Sequence, residues 1–517
     1  MIIATFDPQE LADDWAASVD RLASDDVITR LWRKDHTAVS EDPTEVSNRL
    51  GWIDVIERSR REWPNWVLHA DQAVETADTS GAGIEHVLVL GMGGSSLFPE
   101  VLSKTFDPGA GFPSLMILDS TDPAAVIRAT QACDPERTVV VASSKSGTTV
   151  ETRSHLAHFW ARHPFGRSFT VVTDPGSQLE TLAQTDSYRF IAHGDPNIGG
   201  RFSALSAFGM FPAALMGLDG AALLDTASET HDLLGPDGDV SDNPAVQLGA
   251  LIAVAARAGR DKLTFVIEDS LSALGSWLEQ LIAESTGKHG TGILPVVGED
   301  VTSPSPETRT YAIVGSAEFI AQHRRDHPSV PGPSVQLVVE EPEDLGSQVF
   351  LWELATAVAG IVLGINPFDQ PDVESAKKAA RDRLGGTSDP VSEVTLDDAL
   401  ALLREGDALV IGAFADPALW DGLSAARGVL SQRTGVPTTL GIGPRFLHST
   451  GQMHKGGPDR IVMLQVVGDD DADLSIPGES FTFGELIHAQ ADGDLQALHA
   501  AGKRAVRVPL SELLALG

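Results

Sequence analysis

Four hydroxyl side chains and one lysine stand close together just after the short apolar run TVVVA. They are Ser144, Lys145, Ser146, Thr148 and Thr149. Hydroxyls, a cation and the free N–H groups at the start of a helix can together bind the terminal oxygens of a phosphate monoester. The alternative is an ordinary first helical turn, in which the hydroxyls only cap the helix. The number of hydroxyls exceeds what capping needs, so the pattern favours an anion site.

A glycine-rich turn follows another apolar run, in the segment VLVLGMGGSSL. A glycine such as Gly94 lets the backbone approach a ligand closely, and Ser95 adds a hydroxyl at the helix start. A dinucleotide-binding fingerprint requires a third glycine where this chain has Ser96, so an NAD-linked dehydrogenase is disfavoured. A tight strand-to-helix turn with a serine cap is the simpler alternative.

Two charged side chains could support a proton transfer. In IGGRFSALSAFG, Arg201 carries a permanently charged guanidinium that suits a developing oxyanion. Near the end of the apolar helix SLSALGSWLEQLIAESTGK, Glu284 could act as a general base. Each also has a simpler interpretation: Arg201 in a surface salt bridge, and Glu284 in a solvated ion pair with Lys288, four residues on.

Two loops in the second half of the chain carry further polar side chains. The segment INPFDQPDVESAK ends one helix and starts another, and it contains Gln370 and Lys377. The segment RFLHSTGQMHKGGP contains His448 and His454, whose spacing does not fit a metal-binding helix. Either histidine could equally be a loop residue without a chemical task.

The architecture predicted around these motifs is α/β. Short apolar runs, each followed by a turn and a longer helical stretch, are typical of parallel sheets flanked by helices. The first series is HVLVL, SLMIL, TVVVA, FTVV and YRFIA; later series contain KLTFVIE, TYAIVG and VQLVVEE, then DALVIGAF, VPTTLGIG, RIVMLQVV and RAVRVPL. The predicted division is an N-terminal helical segment (1–84), a first α/β domain (85–225), a second (226–390) and a C-terminal α/β region (391–517).

The composition narrows the possible partners. Of the 517 residues, 42% are hydrophobic and 21% are charged, as in ordinary globular proteins. A net charge of −36 repels nucleic-acid phosphates and anionic lipids, so neither is an expected partner. The single cysteine, Cys133, excludes an internal disulfide, and no signal-peptide pattern or membrane-spanning apolar run is evident. We therefore expect a cytoplasmic protein.

Six motifs together resemble those of the glucose-6-phosphate isomerase family. They are GMGGSSL, SKSGTTVET, GGRFS, ESTGK, NPFDQP with VESAK, and LHSTGQ. The chain is most similar to the isomerase halves of fused transaldolase/glucose-6-phosphate isomerase chains, which share FLHSTGQ and HKGGP, although no transaldolase half is visible. The resemblance implies two sugar-isomerase (SIS) domains with parallel sheets and a shared active site.

The resemblance also implies a role for each matching residue. The sugar phosphate would be bound by Gly94, Ser95, Ser144, Lys145, Ser146 and Thr149, with Gln370 lining the pocket. Glu284 would move the proton between C1 and C2, and Arg201 would stabilise the enediolate. Lys377 and His448 would assist ring opening, with Glu151 orienting His448. The family's reaction requires no metal and no organic cofactor.

This chain departs from the family pattern at two places. His448 follows the NPFDQP loop, whereas in many relatives the corresponding histidine precedes it. Asp372 stands where a glycine is usual, and a carboxylate pointing into a phosphosugar pocket would lower affinity. In the family the histidine reaches the site from a neighbouring subunit, so the resemblance implies a homodimer.

The resulting hypothesis is a glucose-6-phosphate isomerase acting on a small phosphosugar. Ring opening would precede enediolate-mediated proton transfer between glucose 6-phosphate and fructose 6-phosphate. Two alternatives stay open: a non-catalytic sugar-phosphate-binding SIS protein, and an isomerase that also accepts mannose 6-phosphate.

Overall fold

The computed structural model describes residues 3–76, 83–384, 386, 391–469 and 472–517. Three sheets form the framework, and helices pack on their faces. Among the described residues, every pairing between strands is parallel except one, at the edge of the second sheet. The predicted α/β class with parallel, helix-flanked sheets is therefore confirmed.

The N-terminal segment contains one strand that the sequence did not predict. Its elements are β1 (Ala4–Asp7), α1 (Ala12–Ser24), α2 (Val27–Trp32) and α3 (Val55–Thr76). Strand β1 pairs antiparallel with the edge of the second sheet, where Phe6 packs on Trp15 with ring centroids 5.9 Å apart. A four-residue edge strand is too short to give a recognisable period, so only helices and loops were expected there.

The first sheet contains five parallel strands in the order β3-β2-β4-β5-β6. These strands are β2 (His86–Leu90), β3 (Ser114–Leu118), β4 (Thr138–Ser143), β5 (Phe169–Thr173) and β6 (Phe190–His193). The helices between them are α4 (Leu97–Thr105), α5 (Pro123–Ala132), α6 (Val150–Arg162) and α7 (Gln178–Thr185). The carboxyl ends of β2 and β4, adjacent in the sheet, lead into the glycine turn and the hydroxyl cluster.

Three helices connect the first sheet to the second, and the second sheet has the order β1-β10-β9-β7-β8. The connecting helices are α8 (Ala207–Leu215), α9 (Gly220–Leu233) and α10 (Pro244–Arg257). The strands are β7 (Lys262–Ile267), β8 (Leu294–Val297), β9 (Arg309–Gly315) and β10 (Ser334–Val338), and the helices are α11 (Leu274–Thr286), α12 (Ala317–Asp326), α13 (Leu345–Leu363) and α14 (Val373–Leu384).

Helix α13 forms the core of this half of the molecule. The segment Pro342–Leu363 is long and apolar enough to cross a membrane by composition, but 94% of its most apolar window is buried inside the protein. Gly364, with a φ of 77°, ends α13 in the left-handed conformation that glycine adopts without strain. The apolar length of α13 is accounted for by protein packing.

The C-terminal region, residues 391–517, has its own sheet in the order β12-β11-β13-β14. The strands are β11 (Ala408–Phe414), β12 (Thr438–Ile442), β13 (Ile461–Val467) and β14 (Arg504–Arg507), and the helices are α15 (Leu396–Leu400), α16 (Trp420–Thr434), α17 (Gly451–Gly456), α18 (Phe483–Ala500) and α19 (Leu510–Leu514). A capping box between Thr482 and Glu485 starts α18. Apart from β1, each sheet lies within one of the domains predicted above, whose boundaries stay predictions. Strand β1 belongs to the N-terminal segment but pairs with the sheet of the second domain.

Candidate active site

The glycine turn after β2 packs against two other loops. A Cβ on Gly94 would lie 2.0 Å from the carbonyl oxygen of Gly200, and one on Gly93 would lie 2.6 Å from that of His448. Gly93 also has a φ of 53°, which favours glycine. Glycines are therefore required here for close approach of the loops that carry Arg201 and His448.

The surroundings of this turn argue against a dinucleotide site. The Ser96 hydroxyl donates to the Asp119 carboxylate at 3.2 Å, and Arg445 Nε binds the same carboxylate at 2.6 Å. Arg445 also forms an ion pair with Glu100. Asp119 follows the glycine turn at about the distance at which dinucleotide-binding proteins place the acid that binds a ribose. Here its carboxylate is bound by Arg445 of the C-terminal region instead.

The hydroxyl cluster forms the loop between β4 and α6. Ser144 Oγ and Thr149 Oγ1 lie 3.1 Å apart, and the N–H of Gly147 donates to Ser144 Oγ at 3.2 Å. Thr149 occupies the N-cap position of α6, yet its side chain makes no capping hydrogen bond to any described residue. The simple capping alternative therefore does not account for this residue, and the hydroxyls face one another at a helix start.

Lys145 lies in the same loop but is turned toward a neighbouring one. Its ammonium forms an ion pair with Asp174 and donates to the carbonyl of Asp195 at 3.2 Å. Burial raises the pKa of Asp174, although Lys145 opposes that shift. A direct contact of Lys145 with a phosphate stays a prediction, and it requires the ammonium to leave Asp174.

Arg201 and Glu284 form a buried ion pair at the centre of the site. Arg201 Nη1 lies 3.1 Å from Glu284 Oε1, and the two side chains are 3% and 8% exposed. The amide of Gln280, one helical turn before Glu284 on α11, donates to its other oxygen at 3.1 Å. Burial lowers the pKa of Arg201, and Glu284 opposes that shift. The surface salt bridge considered for Arg201 is wrong, because the ion pair that Arg201 forms with Glu284 is buried.

Lys288 has a different partner from the one its spacing suggested. It binds the Asp369 carboxylate at 2.6 Å and the carbonyls of Asn366 and Asp369 at 2.8 and 2.7 Å. Burial, together with the charge of Arg201, lowers the pKa of Lys288 to about 8. The solvated pair with Glu284 is therefore not formed, and Lys288 instead holds the NPFDQP loop.

The remaining donors of Arg201 hold the same loop. Nη2 donates to the carbonyls of Pro367 and Asp369 at 2.6 and 2.8 Å, and Nε donates to the hydroxyl of Ser285 at 2.8 Å. Nη1 reaches the amide oxygen of exposed Gln370 at 3.5 Å. The guanidinium thus joins α11 to the loop that leads into the helix of Lys377.

His448 enters the site from the C-terminal region of the same chain. Its Nε2 lies 2.8 Å from Glu151 Oε1, which also accepts from the amide of Gln490 at 2.7 Å. Burial by itself raises the pKa of Glu151, but His448 and, more weakly, Lys377 outweigh burial and hold this pKa below its usual value. Glu151 is therefore a buried carboxylate bonded to the histidine, and its orienting role stays a prediction.

A chain of contacts links the hydroxyl cluster to the proposed base. Thr149 occupies the N-cap position of α6, and Glu151 in the first turn of α6 binds His448. The carbonyl of His448 accepts from Gln280 at 2.9 Å, and Gln280 in turn binds Glu284. Residues far apart in sequence thus surround one place at the junction of the three sheets.

Lys377 lies on α14, and Asp372 immediately precedes that helix. Lys377 is exposed on α14, close enough to Glu151 to lower its pKa. Asp372 accepts from the Gln452 amide at 2.6 Å, and its own N–H donates to that side chain at 3.0 Å. The extra carboxylate is engaged by the C-terminal region.

His454 is a packed structural residue. It is 4% exposed, its ring lies 5.7 Å from that of Phe446, and burial lowers its pKa to about 3. This burial fits the interpretation of His454 as a histidine without a chemical task.

Comparisons with known proteins agree with the geometry. The family model described as phosphoglucose isomerase matches residues 69–297. A glucose-6-phosphate isomerase of Rubrobacter xylanophilus is 29% identical, covering 61% of this chain and 87% of that protein; a probable glucose-6-phosphate isomerase of Methanococcus maripaludis is 26% identical, covering 66% and 86%. The chain belongs to the glucose-6-phosphate isomerase family.

Solved structures show the same fold. A hypothetical protein from Thermus thermophilus aligns with a TM-score of 0.64 at 24% identity, covering 75% of this chain and 100% of that one. A glucose-6-phosphate isomerase from Chlamydia trachomatis aligns with a TM-score of 0.51 at 20% identity, covering 70% and 78%. The glucose-6-phosphate isomerase family model ends before β9, so His448 lies outside the residues it matches.

Three glutamines of this family member were missed by sequence reasoning. Gln280 could have been found, because it lies one helical turn before Glu284 on the same face. Gln452 ends the LHSTGQ motif and Gln490 lies in no motif, but nothing in the sequence indicated their partners Asp372 and Glu151, which lie 80 and 339 residues away. Only the folded chain reveals such contacts.

Proposed function

We propose that this chain is an aldose–ketose isomerase that interconverts glucose 6-phosphate and fructose 6-phosphate. The observation that carries the proposal is the buried pair of Glu284 and Arg201, linked through Gln280 to His448. A carboxylate base beside a fixed cation is the arrangement that proton abstraction next to a carbonyl requires. The names of the relatives support the same reaction.

Substrate binding would begin at the hydroxyl cluster. Ser144, Thr149 and the N–H groups at the start of α6 offer donors to the phosphate, and Ser95 of the glycine turn would add a further hydroxyl. Holding the phosphate away from the reacting carbons fixes C1 and C2 near Glu284. Ser146 is exposed in the same loop, and Lys145 would join after leaving Asp174.

Ring opening would be assisted by His448 and Lys377. His448 is held by Glu151, so the ring nitrogen bonded to that carboxylate is fixed and the other nitrogen is left to move a proton at the ring oxygen or the C1 hydroxyl. Glu284 then takes the proton from C2 of the open-chain aldose and returns it to C1, giving the ketose. Arg201 stabilises the enediolate oxygen between these two transfers.

The proposal extends to the setting of the enzyme. The substrate is a small phosphosugar, and the enzyme is expected in the cytoplasm. The chain's single cysteine, Cys133, is a buried free thiol, which supports that compartment.

A coupled assay tests the proposed function. The purified chain is given fructose 6-phosphate, and glucose 6-phosphate formation is followed through an NADP-linked dehydrogenase; mannose 6-phosphate is supplied in a parallel reaction. We expect turnover of fructose 6-phosphate, unchanged in the exposed-site control Glu307→Gln. Saturable phosphosugar binding without turnover would contradict the proposal and identify a sugar-phosphate-binding protein.

A further inference from the structure

The C-terminal region touches the proposed site through three side chains. His448 and Gln490 both bind Glu151, at 2.8 and 2.7 Å. Gln452 on α17 binds Asp372, which immediately precedes α14 and its Lys377. One region therefore supplies a proposed catalytic residue and contacts two elements that carry others.

These contacts are buried and are supported by further ones. Gln490 is 4% exposed, and its amide oxygen accepts from the Thr121 hydroxyl at 2.7 Å, so both ends of this side chain are used. Gln452 is fully buried and also donates to the carbonyl of Gly287, at the end of α11, at 3.0 Å. Buried polar groups that are satisfied in this way fix one arrangement of the parts they join.

Two ion pairs anchor the same region on either side of His448. Arg445, in the same short turn as His448, binds Asp119 of the first domain. Arg383 on α14 binds Asp492 on α18 at 2.6 Å, where the two helices pack together. The positions of His448 and of the helix of Lys377 are thus set by contacts within one chain.

We propose that the C-terminal region completes the active site of its own chain, so that a single chain is the catalytic unit. The proposal rests on the proposed function. It removes the reason for expecting a homodimer, which was a histidine donated by a neighbouring subunit. It also accounts for the position of His448 after the NPFDQP loop, since the segment that carries the histidine is part of the C-terminal region.

A complementation experiment tests this proposal. Glu284→Gln and His448→Ala chains carrying different affinity tags are co-expressed, and species with both tags are isolated by two successive purifications. In a symmetric dimer with exchanged histidines, one of the two sites would regain both residues, giving about half of the wild-type activity. We expect no restored activity above that of the separate variants.

The control is a co-purified pair of wild-type and His448→Ala chains. It should show about half of the wild-type activity in either arrangement, because each leaves one complete site. Restored activity in the Glu284→Gln and His448→Ala pair would overturn the proposal. Full activity of His448→Ala alone, or of His448→Gln if the alanine variant does not fold, would overturn it as well.

If the two tags never co-purify while the wild-type chain turns over substrate, the chain acts as a monomer and the proposal holds. Failure of the proposed function has a different signature, since the wild-type chain would then be inactive in every arm. The two failures are therefore distinguishable in one set of preparations.

Discussion

Arg201 uses its guanidinium in two ways that a lysine could not combine. Nη1 faces the Glu284 carboxylate, while Nε and Nη2 bind Ser285 and two carbonyls of the NPFDQP loop. The planar fork places these donors in fixed directions, whereas an ammonium is a single point charge. The side chain therefore positions the base and the loop together.

Arg201→Lys should keep the charge but lose this geometry. We expect kcat to fall about 10²–10³-fold, as when a donor to a developing oxyanion is removed, with a much smaller change in KM. Steady-state kinetics with fructose 6-phosphate measure both values. A variant with wild-type kcat would show that Arg201 only supports the fold.

For individual residues, the sequence predicted which side chains matter better than it predicted their ion-pair partners. Glu284, Arg201 and Lys288 were all identified, but the spacing of four suggested a pair between Glu284 and Lys288. The actual partners are Arg201 and Asp369, which lie 83 and 81 residues away in sequence. Local spacing cannot reveal a partner that arrives through the tertiary fold.

The two loops at the carboxyl ends of β2 and β4 are the elements that bring the site together. The glycine turn after β2 contacts the Arg201 loop so closely that a single methyl group would separate them. The loop after β4 instead presents hydroxyls at a helix start. One loop thus packs against the segments that carry the proposed catalytic groups, and the other is proposed to hold the phosphate.

Gly94→Ala tests the alignment. Because its Cβ would lie 2.0 Å from the Gly200 carbonyl, the loops must shift by about 1 Å, and such a displacement can lower kcat/KM about 10²-fold. Gly200→Ala is the matched control, since its Cβ would meet no described atom within 4 Å. Equal kinetics for the two variants would show that the close approach has no role in catalysis.

The double variant Ser144→Ala with Thr149→Ala tests the hydroxyl cluster. Hydrogen bonds to a charged group contribute about 1.5–3 kcal/mol, so KM should rise roughly tenfold or more while kcat changes little. Thr148→Ala, which changes an exposed neighbouring hydroxyl, should leave KM near the wild-type value. An unchanged KM in the double variant would remove this loop from the substrate site.

The central strands of the sheets were predictable, whereas two of the edge strands were not. Buried strands such as Thr138–Ser143 read as continuous apolar runs because both faces are covered. Strands β1 and β8, with four residues each, were missed: one alternates weakly at an edge and the other contains Pro295. Short edge strands depend on the neighbouring strand for their structure.

At the scale of the whole molecule, one buried carboxyl has no place in the mechanism. Glu353 on α13 is fully buried, and neither of its oxygens has a hydrogen-bond partner in the described part of the chain. Burial raises its pKa well above 4.5, so the folded protein holds a proton that the unfolded chain releases. Stability from this residue is therefore lost as the pH rises above about 4.5 toward the raised pKa.

Glu353→Gln should remove that loss while keeping the shape of the protonated acid. We expect the Tm to rise by roughly 2–4 °C at pH 8 and by less at pH 5. Thermal unfolding at both pH values measures the difference, with Glu307→Gln as the exposed control. An equal change in Tm at the two pH values would contradict the assignment of a raised pKa.

The sequence indicated the C-terminal region as α/β but could not show what it does. The altered order of His448 was visible, yet its effect was open because chain order does not determine which chain's site a residue enters. Asp372 likewise suggested repulsion of the substrate, whereas its carboxylate is bound by Gln452. Both outcomes depend on how the third sheet docks on the other two.

We expect Glu284 to move a proton between C1 and C2 of the phosphosugar. The most direct measurement is NMR detection of deuterium incorporated into glucose 6-phosphate at C2, and into fructose 6-phosphate at C1, in D₂O. We expect incorporation with the wild-type chain and a loss of about 10²–10⁴-fold in Glu284→Gln, with phosphosugar binding retained. Exchange at the wild-type rate in that variant would show that Glu284 is not the base.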